Sequence, residues 1–161
     1  MAFILSSDNS DDATGSFQRY QEYISSVKSK FPSSAYQLAT SDWYFNFNDH
    51  RCPHDAWIES FTFLESSSGK RNEVRTLSLK VRLRGAYHDG YIELYYPKVF
   101  SYHLNIKHGE GGHRDWRYDE LRLSENGNLL HEIEWCGFKE TGTWVIEASD
   151  VEFHWFPNNV A

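Results

Sequence analysis

Histidine recurs beside cysteine and aspartate in two short runs, His50-Arg51-Cys52-Pro53-His54-Asp55 and His88-Asp89-Gly90. In an extended chain, residues two apart project the same way, so His50, Cys52 and His54 could offer two imidazoles and a thiolate to zinc. The common structural zinc sites use two separated ligand pairs, and no second pair follows. A loop leading into a strand is the better account of the first run, with His54-Asp55 bonding backbone groups at the strand entry. In the second run Asp-Gly is first a turn signal, with glycine expected at positive φ, although His88-Asp89 could also serve as an acid/base pair.

Other constellations are weaker. The stretch from His108 to His113 is glycine-rich but lacks the Lys and Ser/Thr of a phosphate loop, and Glu110 between its histidines gives at most a sparse ligand set. Asp119, Glu120, Glu132 and Glu134 are carboxylates of the kind glycoside hydrolysis uses, but the chain holds 23 acids and accidental pairs abound. No GxSxG is present and neither Cys52 nor Cys136 has a nucleophile signature. No catalytic residue, metal site or cofactor is therefore assigned.

The elements that must position these groups are mainly strands. The 161 residues suit one domain, with residues 1–16 as a flexible arm, 17–31 as a helix and 43–156 as an antiparallel β domain. Ser6–Ser16 is too polar to repay its ordering entropy. Phe17, Tyr20, Ile24, Val27 and Phe31 then mark one helical stripe, closed by Pro32. Trp43, Phe45 and Phe47 alternate as a strand would, and Trp57–Leu64 is apolar on both faces, as if buried on both sides; Glu65–Asn72 reads as a loop tip.

Two hairpins are specified by polarity. Across a loop from Gly85 to Gly90, Leu83 faces Ile92, Val81 faces Leu94 and Leu79 faces Tyr96, with Arg82 opposite Glu93 on the wet side. In the second, Asn126-Gly127 invites a two-residue turn, which would set Leu121 against Glu132. A three-residue loop with Gly127 left-handed instead pairs Leu123 with Leu129 and leaves Glu120 opposite Glu132 outside. Beyond it, Trp144, Ile146 and Ala148 are even-numbered while Val151, Phe153 and Trp155 are odd, so a bulge or a turn must fall at Ser149-Asp150. The expected fold is an antiparallel sandwich or strongly curled sheet of seven to nine strands with one N-terminal helix packed on it.

Sixteen Lys+Arg against 23 Asp+Glu give a net charge of −7, which disfavours nucleic acid and suits a basic protein partner. The short apolar start Phe3-Ile4-Leu5 lacks a basic lead, and no apolar window is long enough to span a membrane, so a cytoplasmic location with reduced cysteines is expected. Aromatic residues make up 17% of the chain. Most must be core, but Tyr91 and Tyr95 lie in the polar register beside Arg82 and Glu93, and Tyr87 lies in the loop. With His54, Asp55, His88 and Asp89 they form the expected binding residues.

The segments HDAW at 54–57, GAYHDGYIELYYPKVFSYHL at 85–104, YDELRLSENGNLLHEIEW at 118–135 and IEASDVEFHW at 146–155 resemble a loose group of small bacterial β-rich proteins, some similar to immunity proteins of toxin systems. The resemblance implies a compact protein that blocks a partner by binding it, and it brings no catalytic residues. Two functions follow as expectations: a non-enzymatic binding protein acting through a sheet face, or a small-molecule or carbohydrate-binding β domain with weak hydrolytic activity. A deep pocket lined by Trp with converging His and Asp would favour the second.

Overall fold

The structure, a computed structural model, describes residues 3–5, 12–106, 111–137 and 140–159. Among them are α1 (Ala13–Val27), α2 (Ser33–Ala39) and eight strands: β1 (Trp57–Ser68), β2 (Val74–Arg84), β3 (Gly90–Tyr96), β4 (Val99–Leu104), β5 (Asp115–Leu123), β6 (Leu129–Cys136), β7 (Thr141–Ala148) and β8 (Glu152–Pro157). All pair antiparallel in one open sheet of order β4-β7-β6-β5-β1-β2-β3-β8. The protein is thus mainly β, a strongly curled sheet with a main N-terminal helix, as the sequence leads one to expect.

The curl has a definite origin. The ladder between β5 and β1 consists of a single pair, Trp57 with Asp115, so the two central strands diverge immediately afterwards. The two four-stranded halves then fold toward each other. Phe61 of β1 meets Trp144 of β7 at 5.4 Å, and Phe63 meets Tyr102 of β4 at 4.4 Å. Between the halves lie Leu79, Val81, Leu83, Ile92 and Leu94 from one side and Leu121, Ile133, Trp135, Trp144 and Ile146 from the other, all buried.

Both hairpin registers take the expected form. Leu83, Val81, Leu79 and Arg82 pair with Ile92, Leu94, Tyr96 and Glu93. Leu123 pairs with Leu129 around a three-residue loop in which Gly127 has φ 78° and the Ser124 carbonyl accepts from its N–H at 3.0 Å. Glu120 is opposite Glu132 as expected. It is not outside, however: fully buried, it accepts from the N–H groups of Phe3 and Ile4 at 2.7 and 2.8 Å. Arg122 bridges Glu120 and Glu132 and removes the like-charge conflict.

Other expectations are corrected. The helix begins at Ala13, capped by Asp12, whose carboxylate accepts from the Gly15 N–H, so Ala13–Ser16 belongs to the helix rather than to the arm; residues 6–11 lie outside the described residues. It ends at Val27, and Phe31 is buried from the turn that follows. Trp43, Phe45 and Phe47 lie in successive turns, not in a strand, because the backbone there bonds within itself, as in Asn46 N–H to the Trp43 carbonyl. β1 is largely exposed rather than buried on both sides, since β5 leaves it after Trp57, and the β1–β2 hairpin extends through Ser68 and Val74.

The parity break at Ser149-Asp150 separates two strands rather than bulging one. β7 lies beside one edge strand and β8 forms the opposite edge, so the chain crosses between the halves there. Asp150 serves the crossing by capping α2 from outside that helix, accepting from Ser34 and Ala35 N–H at 3.1 and 2.8 Å. Pro32, the residue at the N-cap itself, supplies no side-chain bond.

Candidate functional site

Two loops at one end of the sheet bring the histidine runs together. The first, 47–56, leads into β1, and the second, 85–89, joins β2 to β3. Tyr87 stacks on His50 with ring centroids 3.9 Å apart and planes 3° from parallel, and its hydroxyl donates to the Phe47 carbonyl at 3.2 Å. Phe47 in turn stacks on His54 at 3.7 Å and 6°. His50 Nδ1 sits 2.5 Å from the Asp89 carboxylate, and His88 meets the Trp57 ring at 4.5 Å. His54, Asp55, Tyr87, His88 and Asp89 are therefore neighbours in one cluster.

Backbone conformation fixes this cluster. Asp55 and His88 have φ 63° and 59°, left-handed values that non-glycine residues adopt at a cost and that concentrate at functional places. The positive φ expected at the Asp89-Gly90 turn thus falls on His88 instead. Gly90 is needed for closeness: a Cβ there would lie 2.4 Å from Trp155 and 2.7 Å from the Phe156 carbonyl. His54 bonds a backbone group as expected of it, donating from Nδ1 to the Arg117 carbonyl at 2.6 Å and so joining the loop to β5.

The outer sheet face continues from the cluster. Trp57 pairs with Arg84, Arg84 with Tyr91, and Tyr91 with Phe156, giving one row across four strands. Arg82 stacks over Tyr91 at 4.0 Å. Tyr91 and Tyr95 are half-buried rather than exposed, Tyr91 because the Arg82 and Arg84 side chains lie over its ring. Although Arg82 is opposite Glu93, its ion pair is with Glu59 at 3.1 Å, and Glu93 pairs with Lys80 at 3.6 Å. The exposed rings of the cluster and this row are Phe47 (50%), Trp57 (47%), Tyr87 (48%) and Phe156 (49%). Of these, sequence reasoning singled out Tyr87 alone.

A cavity of about 290 Å³ opens beside His54. It runs along the edge of β5 that β1 leaves free, under α1 and the 44–54 loop. A bulge between Trp116 and Tyr118 resets the parity of β5, so that Trp116 and Asp119, three apart, both turn inward. The Asp119 carboxylate is held by three donors: Tyr44 hydroxyl at 2.5 Å, His131 Nε2 at 2.7 Å and Trp116 Nε1 at 3.2 Å. Tyr96, at 2.7 Å from His131 Nδ1, extends the chain into the other half of the sheet. Burial, reinforced by the Asp119 charge, raises the Tyr44 and Tyr96 hydroxyls well above the usual phenol range.

The residues considered for zinc are each engaged separately. Cys52 is a free, buried thiol that donates to the Tyr44 carbonyl at 3.0 Å, and burial pushes it up to about 12. His50 is tied to Asp89 and His54 to Arg117. Among the described residues no group of three or more His, Cys, Asp or Glu is arranged to hold a metal, and no helix is long and apolar enough to cross a membrane. His108 and Glu110 lie outside the described residues. Comparison of the chain with family models, with curated proteins and with solved structures finds no significant match.

Proposed function

We propose that the protein is a non-enzymatic binding protein of immunity type, which occludes a protein partner with the aromatic and histidine cluster at the end of the sheet and the adjoining outer face. The observation that carries this is the convergence of Phe47 and Tyr87, on two loops locked by stacked histidines and by left-handed Asp55 and His88, with Trp57 at the start of β1, each about half exposed. Rings held in one rotamer lose little entropy on binding, which is why tyrosine and tryptophan dominate interface hot spots. Asp55 and Asp89 beside them, within a chain of net charge −7, favour a basic partner.

The test is affinity capture from the native host with the wild type and with a Trp57→Ser/Tyr87→Ala variant, followed by calorimetry on the purified pair. A basic protein retained by the wild type and bound at least tenfold more weakly by the variant supports the proposal. Equal affinity for both, or capture of nothing specific, overturns it.

A further inference from the structure

The cavity beside His54 is a candidate for a ligand of its own, independent of any protein partner. Its volume of about 290 Å³ is nearly twice the roughly 150 Å³ that encloses one benzene ring, so it suits a two-ring molecule. Its walls are mostly apolar and aromatic, including Phe17, Phe45, Phe47 and Trp116. A sugar would need a polar partner for each hydroxyl, and polar groups are the minority of this lining, with Ser16 accepting from Arg19 at 3.0 Å and His54 donating to the Arg117 carbonyl. Flat, apolar ligands fit these walls.

Asp119 offers a further acceptor. An ionised carboxylate offers about four acceptor sites. Asp119 uses two on Oδ2, for Tyr44 and His131, and one on Oδ1, for Trp116. The fourth belongs to Oδ1 of a residue that lines the cavity. We propose that the cavity binds a one- or two-ring aromatic ligand, neutral or cationic, whose N–H donates to Asp119 Oδ1. An anionic ligand is disfavoured at Oδ1 by the carboxylate, which three donors hold in place, and the lining Arg117 guanidinium lies over the Tyr118 ring at 5.2 Å.

Calorimetry and saturation-transfer NMR on the full chain with indole, tryptamine and indole-3-acetate test the proposal. Tryptamine and indole are expected to bind in the millimolar range or tighter, with indole-3-acetate at least tenfold weaker. Asp119→Asn is expected to remove the preference for tryptamine over indole-3-acetate. Because that substitution also disturbs a buried network, Ser16→Leu provides the second arm: it fills the cavity from α1 and is expected to abolish binding at an unchanged or raised Tm. Failure of indole and tryptamine to bind at several millimolar, tighter binding of indole-3-acetate, or undiminished binding to a folded Ser16→Leu protein overturns it. None of these outcomes depends on Trp57 or Tyr87, so protein capture is tested separately.

Discussion

The Tyr20 hydroxyl replaces a missing strand at Leu121: it donates to the Leu121 carbonyl at 2.8 Å and accepts from the Leu121 N–H at 3.3 Å. Tyr23, one turn later on α1, accepts from the Leu123 N–H at 2.8 Å. These are backbone groups on the free edge of β5, which the chain before Trp57 would pair if it ran beside β5 in the antiparallel register of Trp57 with Asp115. The helix therefore seals the seam at which the sheet divides, and the cavity lies in that seam.

Tyr20→Phe leaves a buried donor and a buried acceptor unpaired, each costing roughly 1–3 kcal/mol. Urea denaturation is expected to show a loss of about 2 kcal/mol or more, and a smaller loss for Tyr23→Phe, which leaves one donor in a half-buried place. A Tyr20→Phe protein as stable as the wild type would show that α1 is not the seal.

Asp150 caps α2 from the crossover between β7 and β8. Asp150→Ala is expected to cost about 1 kcal/mol, the usual worth of an N-cap, and Asp150→Asn much less. Because the same carboxylate also accepts from its own following N–H at 2.8 Å, Asp150→Ala should also speed amide exchange at Val151.

Gly90→Ala drives a Cβ to within 2.4 Å of Trp155 and 2.7 Å of the Phe156 carbonyl, and the backbone atom cannot rotate away. A loss of about 2 kcal/mol is expected, with Trp155→Leu rescuing it only in part. Gly127→Ala meets open space but keeps φ 78°, so its cost is conformational alone, about 1 kcal/mol.

Among the described residues, four buried groups have raised pKa values, chiefly through burial: Cys52 and the hydroxyls of Tyr20, Tyr44 and Tyr96. Their protonated forms are favoured by folding, so their contribution is complete below the unfolded values of about 8.5 for thiol and 10 for phenol. It is lost as pH rises past those values toward the folded ones, at up to about 1.4 kcal/mol per group per pH unit. The urea midpoint should hold to about pH 8.5 and fall steeply above pH 9.5, and a thiol reagent at pH 8 should leave Cys52 unmodified in the native state. His113, lowered by burial, works in the opposite sense and weakens the fold below about pH 6.5.

The hairpins were legible because one register alone set apolar residues opposite each other, Leu83 with Ile92 and Leu123 with Leu129, whereas the seam was not. Nothing local in Trp57–Leu64 tells that β5 departs after one pair, so an apolar strand read as buried proved exposed. The histidine runs drew attention as ligands, and their true partners, Phe47, Tyr87 and Trp57, come from other turns of chain. Asp119 was lost among many acids, although a signal existed: the Leu123–Leu129 register places it opposite Ile133, two residues from Leu121 and within reach of His131. The bulge at Arg117, which brings Trp116 to the same side, had no mark in the residue pattern.

Hydrogen exchange on the protein alone and in complex with its captured partner tests the central claim most directly. The account predicts protection centred on the amides of 47–57 and 85–91 and extending to the adjoining ends of β2 and β8, with β4 and β7 unchanged. Protection centred on β4 and β7, with those two loops exchanging as in the free protein, would contradict it.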